Sequence, residues 1–325
     1  MKARTYWLAL AMLAAPPAVP AASLAGPHMG MVFDPAVKGL RPILGIPGAA
    51  TMGDPLKLGV ELDKAVISPL QDYAVATVGE GRQVMLLPLG GSTIAPAAIQ
   101  GAGAAPDRIV LSANGRAAAL YYADRNHIQM LTGLPGAPKA SADLILSADQ
   151  VPSALAVDDA GRTVLAGVAG TVYLVTANGE VPILTGLGNI TAMTLAAGRT
   201  ALIADGAKDR IYRVSDVSGP AEAIIIGRFR DGIAEPVALA VSEDGHRAFV
   251  ANAKSGTVAI LDLEGQRAVE KIACRCKPTG LDRLAGDGVY RLTEPSDRPI
   301  WVLEAGTHAP RVMFVPAILA RSSEK

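Results

Sequence analysis

The chain has 325 residues with 30 basic and 30 acidic side chains, a formal net charge of zero. Half of the residues are hydrophobic, only 4% are aromatic and 18% are charged. With no local block of like charge, the basic footprint of a nucleic-acid or anionic-membrane binder is missing, and so few rings argue against a nucleobase-stacking platform or a carbohydrate groove.

The chain opens with a leader. Lys2 and Arg4 precede an apolar run from Tyr6 to Ala15, prolines 16, 17 and 20 follow, and the small residues Ser23 and Ala25 offer a cleavage site. The run is far shorter than the roughly 20 residues that span a bilayer. Residues 1–25 therefore read as a secretory signal peptide, the alternative being an uncleaved membrane anchor, and the protein is expected to be exported, periplasmic or secreted. No later stretch is long and apolar enough to cross a membrane as a helix, so no transmembrane segment is expected in the mature chain.

From there the chain repeats itself. A short apolar strand running into a turn recurs as RIVLSANGR at Gly115, ALAVDDAGR at Gly161, AMTLAAGR at Gly198, ALAVSEDGH at Gly245 and LDRLAGDG at Gly288, with AVISPLQD ending at Asp72 as a degenerate copy. The intervals are 43, 46, 37, 47 and 43 residues, the period of a four-stranded propeller blade. After each turn comes a second strand, at Tyr73, Ala117, Thr163, Thr200, Arg247 and Val289. Third strands begin near Gln83, His127, Thr171, Arg210, Thr257 and Pro299. Fainter fourth strands follow around Ala142, Val181, Ala221, Ala268 and Arg311. Lys271 and Arg228 fall in these outer strands, where charge discourages edge-to-edge pairing.

The clearest unit is Arg247 to Asp262, RAFVANAKSGTVAILD, two strands joined by a polar turn that ends in glycine. It resembles the YVTN-type, NHL-like β-propeller repeat at Val250, Asn252, Gly256, Thr257, Val258, Ile260 and Asp262. The resemblance covers roughly residues 30–317, clear in this repeat and degenerate elsewhere. It implies an all-β propeller of six or seven four-stranded antiparallel blades in the bacterial cell envelope. The segment from Gly30, GMVFDPAVKGLRPILGIPG, aligns with the third and fourth strands of a later repeat. It favours seven blades, with these N-terminal strands helping to close the ring by sharing a mixed blade with a C-terminal strand. Residues 318–325 read as a polar, mobile tail.

Asp124, Asp205, Asn252 and Glu294 occur at or just after the end of the second strand in four repeats. Such turns emerge on one face of a propeller, so these oxygens could ring a channel mouth and bind a ligand or a hard cation. The alternative is that they stabilise their own turns, as Asp and Asn do. The repeat at Gly167 and Val168 brings no carboxylate to this place. Cys274 and Cys276 form Cys-Arg-Cys. In an extended strand their Cα atoms would stand about 6.6 Å apart, near the upper limit for a disulfide, so a bridge requires a bend, for which Pro278 and Gly280 are suited. An oxidising compartment favours the disulfide; free thiols or a soft-metal or redox role are the alternatives. His28, His127, His246 and His308 have no metal-ligand spacing, and no nucleophile elbow, Walker loop or dinucleotide fingerprint is present. Trp301, in an apolar strand, reads as core.

These features describe an exported single-domain propeller, residues 30–317, that binds or scaffolds a protein partner or a small extracytoplasmic ligand. Catalytic residues, a resident metal and a cofactor are not implied. The alternatives are a metal-dependent hydrolase of the gluconolactonase-like propeller class, which needs a convergent ligand set at the channel mouth, and a redox or metal-handling protein acting through Cys274 and Cys276.

Overall fold

A computed structural model describes residues 26–90, 94–147, 150–196, 199–219, 222–306 and 309–317. The leader at 1–25, His308 and the tail at 318–325 lie outside the described residues. Twenty-seven strands form seven antiparallel sheets around one axis.

Blade 1 holds β1 (His28–Asp34), β2 (Gly39–Ile46) and β3 (Ala49–Met52). Blade 2 holds β4 (Leu62–Ile67), β5 (Tyr73–Val78), β6 (Gln83–Pro88) and β7 (Ala97–Ala98). Blade 3 holds β8 (Arg108–Leu111), β9 (Ala118–Tyr122), β10 (His127–Thr132) and β11 (Lys139–Ile145). Blade 4 holds β12 (Ala154–Val157), β13 (Val164–Val168), β14 (Thr171–Thr176) and β15 (Gly179–Leu184). Blade 5 holds β16 (Ile190–Ala196), β17 (Thr200–Asp205), β18 (Arg210–Val214) and β19 (Ala223–Arg228). Blade 6 holds β20 (Pro236–Val241), β21 (Arg247–Asn252), β22 (Thr257–Asp262) and β23 (Arg267–Ala273). Blade 7 holds β24 (Asp282–Arg283), β25 (Val289–Arg291), β26 (Ile300–Glu304) and β27 (Arg311–Val315).

Sequential strands pair with one another throughout, so each blade is a meander. In blades 2–7 the first strand is innermost, since β4, β8, β12, β16, β20 and β24 together line a single central cavity. Turns between first and second strands emerge on one face, here called upper. Turns between second and third strands, and the connections into the next blade, lie on the lower face.

The core is a set of apolar layers between neighbouring blades. Second strands are buried throughout, as in Tyr73–Val78, Ala118–Tyr122 and Arg247–Asn252, because a neighbouring blade covers both of their faces. Small residues on these strands allow the close approach: Ala119, Val164 and Ala166 pack together between blades 3 and 4, and Phe249 meets Tyr290 between blades 6 and 7 at a ring separation of 5.1 Å. Outer strands such as Arg267–Ala273 alternate exposed and partly covered residues, the pattern of a sheet edge in water.

The upper turns share one chemistry. Ser68, Ser112, Asp158 and Ser242 open the turn, and their side-chain oxygens accept from backbone N–H groups four or five residues on. The fourth residue adopts positive φ: Gly115 at 65°, Gly161 at 64° and Gly245 at 77°. In blade 2 that residue is Gln71 (φ 60°) and in blade 5 it is Arg199 (φ 63°). The turn thus aligns on Gln71 rather than Asp72, and Gly198, the glycine of the blade 5 repeat, lies outside the described residues.

Blade 1 also corrects an expectation. Its strands share no sheet with a C-terminal strand; they form a three-stranded blade of their own. They are the second, third and fourth strands of the blade pattern. Their first turn, between Asp34 and Gly39, has the length of the β5–β6, β9–β10, β17–β18 and β21–β22 turns and, like them, ends in a residue with positive φ, here Lys38 at 48°. At the other side of the blade, β3 lies against the outermost strand β27. Blade 1 lacks its innermost strand among the described residues. Second and third strands of this fold carry similar apolar patterns, which is why the sequence alignment slipped by one strand.

Candidate functional site

The central channel is where the inner strands of blades 2–7 meet. Its upper half is a cavity of about 360 Å³ lined by Val66, Ile109, Leu155, Met193 and Leu239, with Arg283 and Tyr290 on one side. The inner strands of blades 2–6 each bring apolar residues to this lining. Blade 7 is the exception. There Arg283 donates to Glu243 at 2.8 Å, while Asp282 accepts from Arg291 at 2.7 Å and Arg291 also pairs with Glu294. The Asp282 side chain is more than half exposed to the channel, yet the crowding of the inner strands around it raises its carboxyl above the ordinary range, opposed by the Arg291 charge and reinforced by Glu294. Burial likewise pushes the Tyr290 hydroxyl up to about 12, leaving it a neutral hydrogen-bonding group at neutral pH.

The four polar residues singled out in the sequence do not form a ring of free ligands. Asp205 is fully buried, and its carboxylate accepts from the backbone N–H groups of Gly188, Asn189, Ala207 and Lys208 at 2.8–3.2 Å. Asn252 is equally buried; its Oδ1 accepts from Ala234 N–H at 3.0 Å and its Nδ2 donates to the Val250 carbonyl at 3.1 Å. Both residues tie the lower turn to the loop that feeds their own blade's inner strand. Asp124 lies out in an exposed turn beside Arg125, and Glu294 is held by Arg291.

Strand register explains the mismatch. Asp205 and Asn252 sit opposite the first residue of the third strand, Arg210 and Thr257. In blade 3 that place belongs to Tyr122, opposite His127, and its hydroxyl donates to the Gly103 carbonyl at 2.8 Å. In blade 1 it belongs to Asp34, opposite Gly39. With no inner-strand loop beside it among the described residues, Asp34 accepts from Arg41 Nε at 2.7 Å. Sequence reasoning missed Asp34 and Tyr122 because it sought one residue type. Counting five residues back from the start of each third strand would have found them.

A hard cation needs oxygen donors with lone pairs to spare. Those of Asp205 and Asn252 are already directed at backbone amides, and among the described residues no three His, Cys, Asp or Glu side chains are grouped to share a metal ion. These residues do not fit the metal of a gluconolactonase-like hydrolase. Nor does a nucleophile with its base appear among the turn serines. Ser68 Oγ donates to Asp72 at 2.5 Å and accepts from backbone amides, a turn-closing arrangement. Of the described histidines, His127 stacks on Tyr122 at 4.7 Å beside Asp143, and His246 pairs with the exposed Glu264. Cys274 and Cys276 are joined in a disulfide, with Cα atoms 5.1 Å apart. The chain bends after β23, and the bridge sits at the start of the connection into blade 7, with Cys274 in the apolar layer between blades 6 and 7.

The chain folds as a seven-bladed propeller. Its relatives by shape share that fold at low identity. Virginiamycin B lyase from Staphylococcus aureus is 14% identical with a TM-score of 0.56, over 79% of this chain and 84% of that one. A functionally unknown protein from Desulfotomaculum acetoxidans DSM 771 is 14% identical with a TM-score of 0.60, over 90% and 100%. A streptogramin B lyase is 13% identical with a TM-score of 0.55, over 76% and 80%. No protein-family model matches the chain, and no curated protein matches it in sequence. Likeness at this level carries the fold and leaves activity to be argued from the site.

Proposed function

We propose that this chain is an exported propeller of the YVTN-type class that works as a binding or scaffolding module, holding an apolar group of a protein partner or small extracytoplasmic ligand in the upper mouth of its channel. The observation that carries this reading is the 360 Å³ cavity walled by aliphatic residues from the inner strands of blades 2–6, within the size range of ligand pockets. The asymmetric edge of blade 7, Arg283 and Asp282, would orient what enters, as a few polar groups do in an otherwise apolar pocket. Export rests on the leader at residues 1–25, and a net charge of zero favours a protein or small molecule over nucleic acid. Among the described residues no helix is long and apolar enough to cross a membrane.

The test is affinity capture from the native envelope fraction with the unaltered chain and with Leu239→Glu, which plants a charge in the cavity wall. A partner retained by the first and lost by the second supports the reading. Equal retention by both, or no partner, overturns it.

A further inference from the structure

The disulfide after β23 stands on the lower face, opposite the channel mouth, and its two sulfurs differ in setting. Cys274 is 6% exposed and belongs to the apolar layer of Phe249, Val258 and Tyr290 between blades 6 and 7. Cys276 is at the margin of that layer and only partly buried. The turn that carries the pair is fastened on both sides. Cys274 N–H donates to the Gly256 carbonyl at 2.8 Å, and the Cys274 and Cys276 carbonyls lie so close over Gly256 that a Cβ there would meet them at 3.2 and 2.8 Å. Further on, Thr279 N–H donates to the Leu292 carbonyl of blade 7 at 2.8 Å. Main-chain contacts that do not pass through the sulfur–sulfur bond therefore hold the turn in place.

The charge around the turn is one-sided. Arg275 and Lys277 flank Cys276 and are exposed, and Lys254 is exposed two residues before Gly256. Among the described residues none of these three makes an ion pair. Cations beside a cysteine favour its thiolate, and a disulfide whose reduced form is stabilised is the stronger oxidant. The two cysteines are also only two positions apart in sequence, so chain entropy adds little to keep the bond closed.

We propose that Cys274–Cys276 is a thiol–disulfide exchange site that oxidises a dithiol of a partner protein or peptide. A partner thiolate attacks the accessible Cys276 sulfur, the bond to Cys274 breaks, and the Cys274 sulfur leaves with the electron pair and takes up a proton. The partner's second thiolate then attacks the partner sulfur of the mixed disulfide, and the electron pair of that bond leaves on Cys276, beside Arg275 and Lys277. The partner gains a disulfide and gives up two protons, one to Cys274 and one to solvent. The chain keeps the two electrons as a Cys274 thiol in the apolar layer and a Cys276 thiolate among the cations. One chain oxidises one dithiol.

The test uses the oxidised chain and, as probe, a reduced peptide with two cysteines, mixed in equal amounts without oxygen and read by intact mass after alkylation. The peptide should become oxidised while Cys274 and Cys276 become alkylatable. Arg275→Glu with Lys277→Glu should slow this exchange about tenfold and move its equilibrium toward the reduced peptide, with the melting temperature of the oxidised chain unchanged. A peptide left reduced, or an exchange untouched by the charge reversal, overturns the proposal. The single-thiol chains separate the two sulfurs. At neutral pH iodoacetamide should modify Cys276 in Cys274→Ser at least about tenfold faster than Cys274 in Cys276→Ser. Equal rates, or a faster Cys274, overturn the assignment of Cys276 as the sulfur that is attacked.

Discussion

Blade 6 and blade 1 carry the same hairpin and use it differently. In blade 6, Asn252 at the lower turn grips the loop that feeds its own inner strand, through Ala234; Asp205 does the same in blade 5 through Gly188 and Asn189. Among the described residues blade 1 has no such loop, and Asp34 turns to a side chain of the neighbouring strand, Arg41, which also donates to the Gly53 carbonyl. The lower-turn polar residue is thus a clamp between a blade's second strand and the chain arriving from the previous blade. Where nothing arrives, the clamp closes on its own blade.

The largest predicted effect separates backbone from side-chain partners. Asp205→Ala would leave four buried N–H groups without an acceptor and should cost about 3–4 kcal/mol in denaturant unfolding. No second substitution should rescue it, because its partners are main chain. Asp34→Ala should cost less, about 2 kcal/mol, chiefly by leaving the nearly buried Arg41 unpaired. Adding Arg41→Met should restore most of that loss. A double mutant as unstable as Asp34→Ala alone would show that Asp34 holds more than its arginine.

Much of this architecture was legible in the sequence, and the gaps have physical causes. The upper turn is readable because one small chemistry recurs, a Ser or Asp oxygen capping the turn and a residue at positive φ closing it. Glycine marks the second position only where glycine occupies it, so Gln71 and Arg199 escaped notice. The clamp position is harder to read, because Asp, Asn and Tyr hold the incoming loop with different atoms. The two-residue strand Ala97–Ala98 has too little pattern to be seen at all. That the described strands of blade 1 are its second, third and fourth is a statement about register between strands of like composition, and only pairing reveals it.

Gln71 sharpens the comparison at the opposite face, where its carboxamide accepts from Met31 N–H at 2.6 Å and donates to the Arg283 carbonyl at 2.7 Å. Gln71→Ala should cost roughly 1–2 kcal/mol through the lost bridge between blades 1 and 7. Gln71→Gly removes the same bridge but relieves the positive φ, so it should be more stable than the alanine variant by about 1 kcal/mol. Thermal melts of the three chains, compared at one pH, measure the difference. If alanine and glycine behave alike, the backbone conformation assigned to this turn is wrong.

The disulfide should matter less to stability than its conspicuous sequence suggests. Cys274 and Cys276 enclose a very short loop, for which the chain-entropy contribution is no more than about 1.5 kcal/mol. Reduction should lower the melting temperature by a few degrees at most and leave the seven-bladed fold intact, as read by far-ultraviolet circular dichroism. Collapse on reduction would give the pair a role that loop closure does not explain.

The smallest effect concerns the charges of the blade 7 inner strand, and its sign is diagnostic. Asp282 has a carboxyl pKa raised in the fold by desolvation despite Arg291, so between the ordinary and the raised value the folded chain retains a proton there that the unfolded chain has released. That contribution is fully present below the ordinary aspartate value of 3.8 and is lost as pH rises through the raised value. Asp216 and Asp262 behave oppositely: backbone hydrogen bonds lower their pKa values, and a side-chain bond from Ser242 lowers that of Asp244. The stability these three contribute is present above 3.8 and lost as pH falls through their lowered values. Asp282→Asn should therefore remove a component whose slope runs against the general acid loss, making the variant gain on the parent as pH is raised from about 3 to about 6. The comparison requires melts of both chains at each pH, since only their difference isolates Asp282.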